Sequence, residues 1–216
     1  MPVRAIFFDV GETLIDEHRL YRDYAMRMEV TYEYFLATME AAMERREPVR
    51  NIFAIVKPGF DFKAARAQRE AEGKTFAIGA QDLYPDVVAC LAGLRAKGYF
   101  IGIAGNQPAS AEPTLRASGL AADFFATSDG WGVAKPDPKF FEKVALAAGC
   151  PPDQIAYVGD RVDNDVLPSL AAGMRPILLR RGPWGRAQWN WPEAEKAHLR
   201  IETLAELPQR LAELTR

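Results

Sequence analysis

The sequence predicts an α/β protein in which a parallel sheet carries helices on both faces, a three-layer α/β/α core. From about residue 85 onward, short apolar runs alternate with segments of helical period, an order typical of parallel sheets with crossover helices. Residues 16–80 differ, because β-branched residues are few there and Met, Ala, Glu, Arg and aromatic residues dominate. We therefore predict an α/β core domain from residues 1–15 and 81–216, with residues 16–80 inserted as a helical cap domain.

The predicted strands are short apolar runs that end at polar or glycine-containing turns. The first run ends at Asp9 and Gly11, which is typical of a buried parallel strand with an acid at its carboxyl end. The predicted strands span residues 5–8, 99–104, 124–127, 155–158 and 176–179. The helices predicted between them, opened by Pro or Asp-Pro or closed by Gly, span residues 85–98, 109–118, 138–149 and 164–172.

The inserted segment has a helical pattern. Apolar residues recur at three- and four-residue steps from Tyr21 to Met43, the spacing of one face of an α-helix. Pro48 and the pair 58–59 (Pro-Gly) interrupt the pattern, and a further helix is predicted over residues 64–72. The acids and bases of this segment balance, so its charge selects no particular substrate.

Composition excludes several classes of protein. The 216 residues carry a net charge of -2, so no basic field attracts nucleic acid or an anionic membrane. Cys90 and Cys150 form no CxxC pair or disulfide framework, which indicates reduced thiols. No apolar run approaches the ~18 residues of a membrane span, and the first residues do not resemble a signal peptide. We expect a cytoplasmic monomer or homodimer with a small-molecule substrate.

Polar residues follow several predicted strands, at the edge where parallel sheets bind ligands. Three of them, Asp9, Asp160 and Asp165, are carboxylates. If they converge, their mutual repulsion requires a cation. Hard oxygen ligands with no nearby His or Cys favour Mg²⁺ over Zn²⁺. The segments that carry such polar residues span residues 9–13, 105–106, 128–135 and 159–165.

A lysine in the third of these segments, Lys135, adds positive charge and suits an anionic substrate such as a phosphate ester. A carboxylate can attack phosphorus and form an aspartyl-phosphate, which water then cleaves. Mg²⁺ and lysine would offset the charge on the transferring phosphoryl oxygens. Taken singly, each residue could be only a turn or cap residue. Their joint occurrence after successive strands favours a functional site.

Four segments resemble, in order, the four motifs of the haloacid dehalogenase superfamily. The third and fourth motifs are specific, and the resemblance covers nearly the whole chain. It implies a Rossmann-like core with a small helical cap after the first strand, and a hydrolase that acts through an aspartate. The four segments are residues 7–14 (FFDVGETL), 101–106 (IGIAGN), 132–138 (GVAKPDP) and 157–165 (YVGDRVDND).

The resemblance also implies roles for single residues. Asp9 would be the nucleophile and a Mg²⁺ ligand, and Gly11 would offer the metal its backbone carbonyl. Asp160 would be a direct ligand, and Asp165 a ligand either directly or through water. Lys135 would hold both Asp9 and the substrate phosphate, as a catalytic and substrate-binding residue.

Two positions depart from the family pattern. Phosphatases of the family carry a second aspartate where this chain has Gly11, and that aspartate serves as general acid and base. General acid–base catalysis contributes ~10²–10⁴-fold, so its loss predicts weak activity unless the next residue, Glu12, reaches in. The second motif has Gly105 in place of Ser or Thr, which leaves the backbone N–H groups of Gly105 and Asn106 to bind phosphate.

Three functions remain open at this level. The favoured one is a Mg²⁺-dependent phosphatase for a small phosphorylated metabolite. A C–X bond hydrolase of the dehalogenase or phosphonatase type is the second. Dehalogenases, however, dispense with the metal, and phosphonatases need a cap lysine, for which Lys57, Lys63 and Lys74 are candidates. The third is a non-catalytic regulatory protein that binds phosphate and metal.

Overall fold

A computed structural model describes residues 2–47, 52–74 and 80–215 of the chain. Within these ranges the strands form one parallel sheet in the order β3-β2-β1-β4-β5-β6, which confirms the predicted fold class. The strands are β1 (Ala5–Phe8), β2 (Phe100–Gly105), β3 (Phe124–Thr127), β4 (Ile155–Gly159), β5 (Arg175–Leu179) and β6 (Leu199–Ile201).

The described helices follow the strands or lie in the inserted segment. None of those in the described ranges is both long enough and apolar enough to cross a lipid bilayer. They are α1 (His18–Arg27), α2 (Tyr32–Glu44), α3 (Ile52–Val56), α4 (Phe62–Ala71), α5 (Val87–Ala96), α6 (Ala111–Ala117), α7 (Ser128–Trp131), α8 (Pro138–Ala148), α9 (Leu167–Ala171), α10 (Gly182–Gln188) and α11 (Leu207–Arg210).

Strand β1 lies at the centre of the sheet and is apolar throughout because both of its faces are covered. Ile6 and Phe8 point to one face and belong to one apolar cluster, whereas Ala5 and Phe7 point to the other face and belong to a second cluster. This alternation is the ordinary geometry of a strand. All four side chains are buried, as expected for a parallel sheet between two helical layers.

The strand register decides where the functional residues meet. Phe8 pairs with Ile103 of β2 on one side and with Val158 of β4 on the other. Because the three strands are parallel and in register, they end at the same edge of the sheet. The residues that follow them, Asp9 after β1 and Asp160 after β4, therefore emerge side by side.

Helices α1 to α4 form an apolar cluster of their own, which includes Trp184 from α10. The inserted segment also contacts the rest of the chain through ion pairs. Arg46 donates two hydrogen bonds to Glu193, at 2.9 and 3.0 Å, and Arg66 donates one to Asp129 at 2.9 Å. These contacts are compatible with the predicted division into core and cap, which stays a prediction.

The apolar pattern of the inserted segment does not correspond to one helix. The chain breaks it at Glu29, whose φ of 58° is left-handed, and α2 then begins behind Thr31, whose side chain accepts a hydrogen bond from the N–H of Tyr34 at 3.1 Å. No Gly or Pro marks this break, so the pattern alone could not reveal it. The short helix α3 was not predicted either, and Pro48 lies outside the described residues.

The structure of the core differs from the prediction at three further places. The edge strand β6 was missed because three residues are too few to show a period. The helix predicted after β4 is preceded by a π-helical turn over Val162–Val166, and α9 itself begins only at Leu167. Pro85 precedes α5 rather than occupying its first position, since the helix begins at Val87.

Two glycines test how tightly the sheet is packed. A Cβ atom at Gly102 of β2 would lie 2.3 Å from the ring of Phe7, whereas a Cβ at Gly93 of α5 would meet no atom within 4 Å. We expect Gly102→Ala to lower the free energy of unfolding by about 1–3 kcal/mol through overpacking. Gly93→Ala, the matched control, should raise it by about 0.5–1 kcal/mol through helix propensity. Urea unfolding measures both, and equal stability of the two variants would contradict this packing.

Candidate active site

Three acidic side chains meet at the carboxyl edge of the central strands. Asp9 follows β1, Asp160 follows β4, and Asp165 lies in the π-helical turn. Each contributes one oxygen to a group whose members all lie within 4.8 Å of one another. Asp160 and Asp165 are each 1% exposed and Asp9 is 7% exposed. The convergence that the sequence analysis required is therefore present.

Contacts with the neighbouring backbone hold the Asp165 carboxylate in this group. The backbone N–H of Arg161 donates to Asp165 Oδ2 at 3.0 Å, and Ser169 Oγ donates to the Asp165 carbonyl at 2.5 Å. A Cβ atom at Gly159 would lie 2.3 Å from the Asp165 carboxyl group. Only glycine at the end of β4 leaves room for this carboxylate.

Lys135 binds two of the three acids. Its Nζ lies 2.8 Å from Asp9 Oδ1 and 2.5 Å from Asp165 Oδ1, and its side chain is fully buried. Burial alone would lower the pKa of Lys135, but the charges of Asp165 and Asp9 raise it well above its ordinary value. The lysine therefore stays protonated and holds Asp9 in place.

The predicted phosphate-binding pair of Gly105 and Asn106 has a clear positioning role. The Asn106 amide donates to the Lys135 carbonyl at 2.9 Å and accepts from the Lys135 N–H at 2.8 Å. Both ends of that amide are thus used to fix the lysine's backbone. A Cβ at Gly105 would lie 2.4 Å from Asp9 Oδ1, so the glycine leaves room for the Asp9 carboxylate. Phosphate binding by this pair stays a prediction.

The charges of the cluster do not balance. Lys135 offsets Asp9 and Asp165, but Asp160 Oδ2 is buried without a hydrogen-bond partner among the described residues. Burial raises the pKa of Asp160, and the charges of Asp165 and Asp9 raise it further. A buried carboxylate oxygen without a partner is costly, and a hard cation would remove that cost.

The donor set therefore fits Mg²⁺, which prefers carboxylate and carbonyl oxygens. Asp9 and Asp160 present oxygens to the site, and Gly11 lines the same cavity. Both oxygens of Asp165 already accept hydrogen bonds, from Lys135 Nζ and from the Arg161 N–H. This arrangement favours the water-mediated role for Asp165 over direct ligation.

Asp9 and Asp160 border a cavity of about 240 Å³, which suits a small ligand. The Arg161 guanidinium lies 4.2 Å from the centre of the Trp184 ring and pairs with Asp163 at 2.6 Å. No role in this cavity was predicted for several of its lining residues. Glu17, Gln107 and Trp184 lie outside the four motif segments, and Arg161 lies within the fourth segment at a position to which the resemblance assigned no role.

Glu12, the acid next to Gly11, does not offer a free oxygen to this cavity. It has a left-handed φ of 52°, which turns its side chain toward Tyr84. Its Oε2 accepts from the Tyr84 hydroxyl at 2.5 Å, and its Oε1 accepts from the Glu17 N–H at 3.3 Å. Burial raises the pKa of Glu12 to about 7.

Glu17, at the entrance to α1, fills the space beside Gly11. A Cβ atom at Gly11 would lie 2.6 Å from Glu17 Oε1. The Tyr21 hydroxyl donates to Glu17 Oε2 at 3.1 Å, and the Gln107 side chain also forms a hydrogen bond with this carboxyl group. Burial raises the pKa of Glu17 to about 8, and the nearby charge of Glu12 contributes.

The lysine bridge predicts a specific pattern of stability. We expect Lys135→Met, measured in a chelator, to lower the free energy of unfolding by about 3–5 kcal/mol, because two buried carboxylates lose their partner. Adding Asp165→Asn should recover part of that loss, since one of the two charges is then gone. A single variant as stable as the wild type would show that the bridge does not form.

Comparisons with known proteins point to one family. A family model described as haloacid dehalogenase-like hydrolase matches residues 3–173. A glyceraldehyde 3-phosphate phosphatase of Methanopyrus kandleri is 31% identical over 203 residues, which cover 84% of this chain and 86% of that protein.

Solved structures share the fold. A haloacid dehalogenase-type phosphatase from Thermococcus onnurineus superposes with a TM-score of 0.59 at 23% identity, over 98% of this chain and 99% of the other. A 2-haloacid dehalogenase from Pseudomonas syringae has the same TM-score of 0.59 at 22% identity, over 97% and 98% of the two chains. Because the family model matches residues 3–173, well over half of its length, the chain belongs to the haloacid dehalogenase-like hydrolase family.

Proposed function

We propose that this hydrolase is a Mg²⁺-dependent phosphatase that acts on a small phosphorylated metabolite with Asp9 as its nucleophile. The observation that carries the proposal is the unpartnered Asp160 oxygen beside an Asp9 carboxylate held by Lys135. Without a cation, that oxygen would stay buried and unpartnered among the described residues unless Asp160 were protonated. The phosphatase relative supports a phosphate ester as the substrate, and the cavity volume supports a small one.

Each residue of the site would have its own role in the reaction. One carboxylate oxygen of Asp9 attacks phosphorus and forms a bond to it, while the bond between phosphorus and the leaving oxygen breaks. Lys135 keeps Asp9 oriented, and Asn106 holds the lysine's backbone. Asp9, Asp160 and the Gly11 carbonyl would hold Mg²⁺ directly, and Asp165 would contact it through water. Bound Mg²⁺ supplies positive charge that stabilises the phosphoryl oxygens.

Arg161 and Gln107 line the cavity beyond the acids and would bind the remainder of the substrate. The Arg161 guanidinium is partly neutralised by Asp163. It would still offer N–H donors to a hydroxyl, carbonyl or carboxylate of the substrate. The cavity therefore favours a polar metabolite over an apolar one.

The dehalogenase alternative shares the fold but has less support at the site. Such chemistry needs no cation, whereas this chain brings three buried acids together within its described residues, and Lys135 pairs with two of them.

The phosphonatase alternative needs a lysine in the cavity. Lys57 pairs with Glu29 at 2.9 Å and Lys74 with Glu72 at 3.0 Å, and neither these two nor Lys63 is among the described residues that line the cavity.

Activity on p-nitrophenyl phosphate and on a panel of sugar and organic-acid phosphates tests the proposal. We expect turnover that requires Mg²⁺, is lost on chelation, and falls at least about a thousandfold in Asp9→Asn, because the nucleophile is gone. The control Asp153→Asn, an exposed position outside the cavity, should keep wild-type activity.

Two results would contradict the proposal. Activity that survives chelation would favour metal-free, dehalogenase-like chemistry. Binding of Mg²⁺ and of a phosphate analogue, without turnover on any member of the panel, would favour the non-catalytic alternative.

A further inference from the structure

Cleavage of an alkyl phosphate requires a proton for the leaving oxygen, because an alkoxide is too basic to leave unaided. The acidic side chains that line the cavity are those of Asp9, Glu12, Glu17 and Asp160. In the proposed mechanism Asp9 forms the bond to phosphorus and Asp160 faces the cation, so neither can donate a proton. The choice lies between the two glutamates.

Burial and packing against Tyr84 and α10 make Glu12 the less suitable proton donor. Its two carboxylate oxygens accept from the Tyr84 hydroxyl and from the Glu17 N–H. Its side chain is also 3% exposed, and its Oε2 would lie only 2.5 Å from a Cβ atom placed at Gly182. Glu12 is thus held between Tyr84 and the start of α10.

The carboxyl group of Glu17 lies where a side chain at position 11 would begin. An ideal Cβ on Gly11 would be 2.6 Å from Glu17 Oε1 and 3.0 Å from Oε2. Gly11 is only two residues beyond Asp9 on the same loop, and both residues border the cavity with Glu17. The inserted segment therefore delivers a carboxyl group beside the nucleophile, into space that only glycine leaves open.

The contacts of Glu17 hold it in this position. Tyr21, one turn further along α1, donates to Oε2 at 3.1 Å, and Gln107 also forms a hydrogen bond with the carboxyl group. Tyr21 and Gln107 approach from different elements, α1 and the loop after β2. The carboxyl group is thereby positioned against the loop that carries Asp9.

From this placement we infer that Glu17 is the general acid and base of the reaction, an inference that rests on the proposed phosphatase function. As the Asp9–phosphorus bond forms, the phosphorus–oxygen bond of the ester breaks, and the leaving oxygen takes the proton of Glu17. Glu17, now a carboxylate, accepts a proton from water as that water attacks phosphorus. The Asp9–phosphorus bond breaks, and phosphate and protonated Glu17 are restored.

The test compares two leaving groups in Glu17→Gln, which preserves the shape of the side chain. Glycerol phosphate needs a proton on its leaving oxygen, whereas p-nitrophenolate leaves without one. Because kcat/KM reports the steps up to the first irreversible one, it should fall by ~10²–10⁴-fold for glycerol phosphate and change little for p-nitrophenyl phosphate. Glu12→Gln, the matched control, should keep the ratio of the two values unchanged.

A second readout follows the intermediate directly. In Glu17→Gln the water lacks its base, so the aspartyl-phosphate on Asp9 should accumulate. Mixing the variant with p-nitrophenyl phosphate should give a burst of nitrophenolate close to one per chain. Mass spectrometry should then find the added phosphoryl group on Asp9.

Position 11 offers a rescue experiment. Gly11→Asp alone should not speed glycerol phosphate hydrolysis, because its Cβ would collide with the Glu17 carboxyl group. In the double variant with Glu17→Ala, the space is vacant and Asp at position 11 should recover activity that Glu17→Ala alone has lost.

The outcomes separate this inference from the proposed function. Glu17→Gln could lower kcat/KM equally for both substrates, or for neither, while Asp9→Asn still abolishes Mg²⁺-dependent turnover. In that case the phosphatase function stands and Glu17 is only a structural residue. If the wild-type chain hydrolyses no member of the phosphate panel, both are overturned. Circular dichroism and thermal unfolding of each variant exclude misfolding as the cause.

Discussion

The site depends on an uneven balance of charge at the end of the central strands. Parallel pairing of β1 with β4 places Asp9 and Asp160 side by side, and the π-helical turn adds Asp165. One buried ammonium, that of Lys135, offsets two of these acids. The third keeps an oxygen without a partner among the described residues. Burying such a group is costly, so the arrangement is stable only if a cation or a proton joins it.

Three glycines at or just after the ends of the central strands leave room for the acidic side chains of this site. Gly105 leaves room for the Asp9 carboxylate, Gly159 for Asp165, and Gly11 for the carboxyl group of Glu17. The first two bring the acids of the core together. The third opens the loop to a side chain from the inserted segment, so that both parts of the chain contribute to one cavity. Contacts such as Arg46 with Glu193 then fix the inserted segment against the core.

The fold class and the acidic cluster could be predicted from the sequence because both depend on local signals. A buried strand such as β1 reads as an apolar run, and an acid just beyond it must lie at the ligand-binding edge. Glu17 was missed because its role arises from a contact across six residues that no period or motif marks. The break at Glu29 was missed because no Gly or Pro marks it, and β6 because three residues are too few to show a period.

Calorimetric titration of Mg²⁺ measures whether a cation completes the charge of the acidic cluster, without requiring a substrate. We expect one Mg²⁺ bound per wild-type chain, loss of that binding in Asp160→Asn, and unchanged binding in the exposed control Asp153→Asn. A wild-type chain that binds no Mg²⁺, or an Asp160→Asn variant that binds it as tightly as the wild type, would show that the acidic cluster is not a Mg²⁺ site.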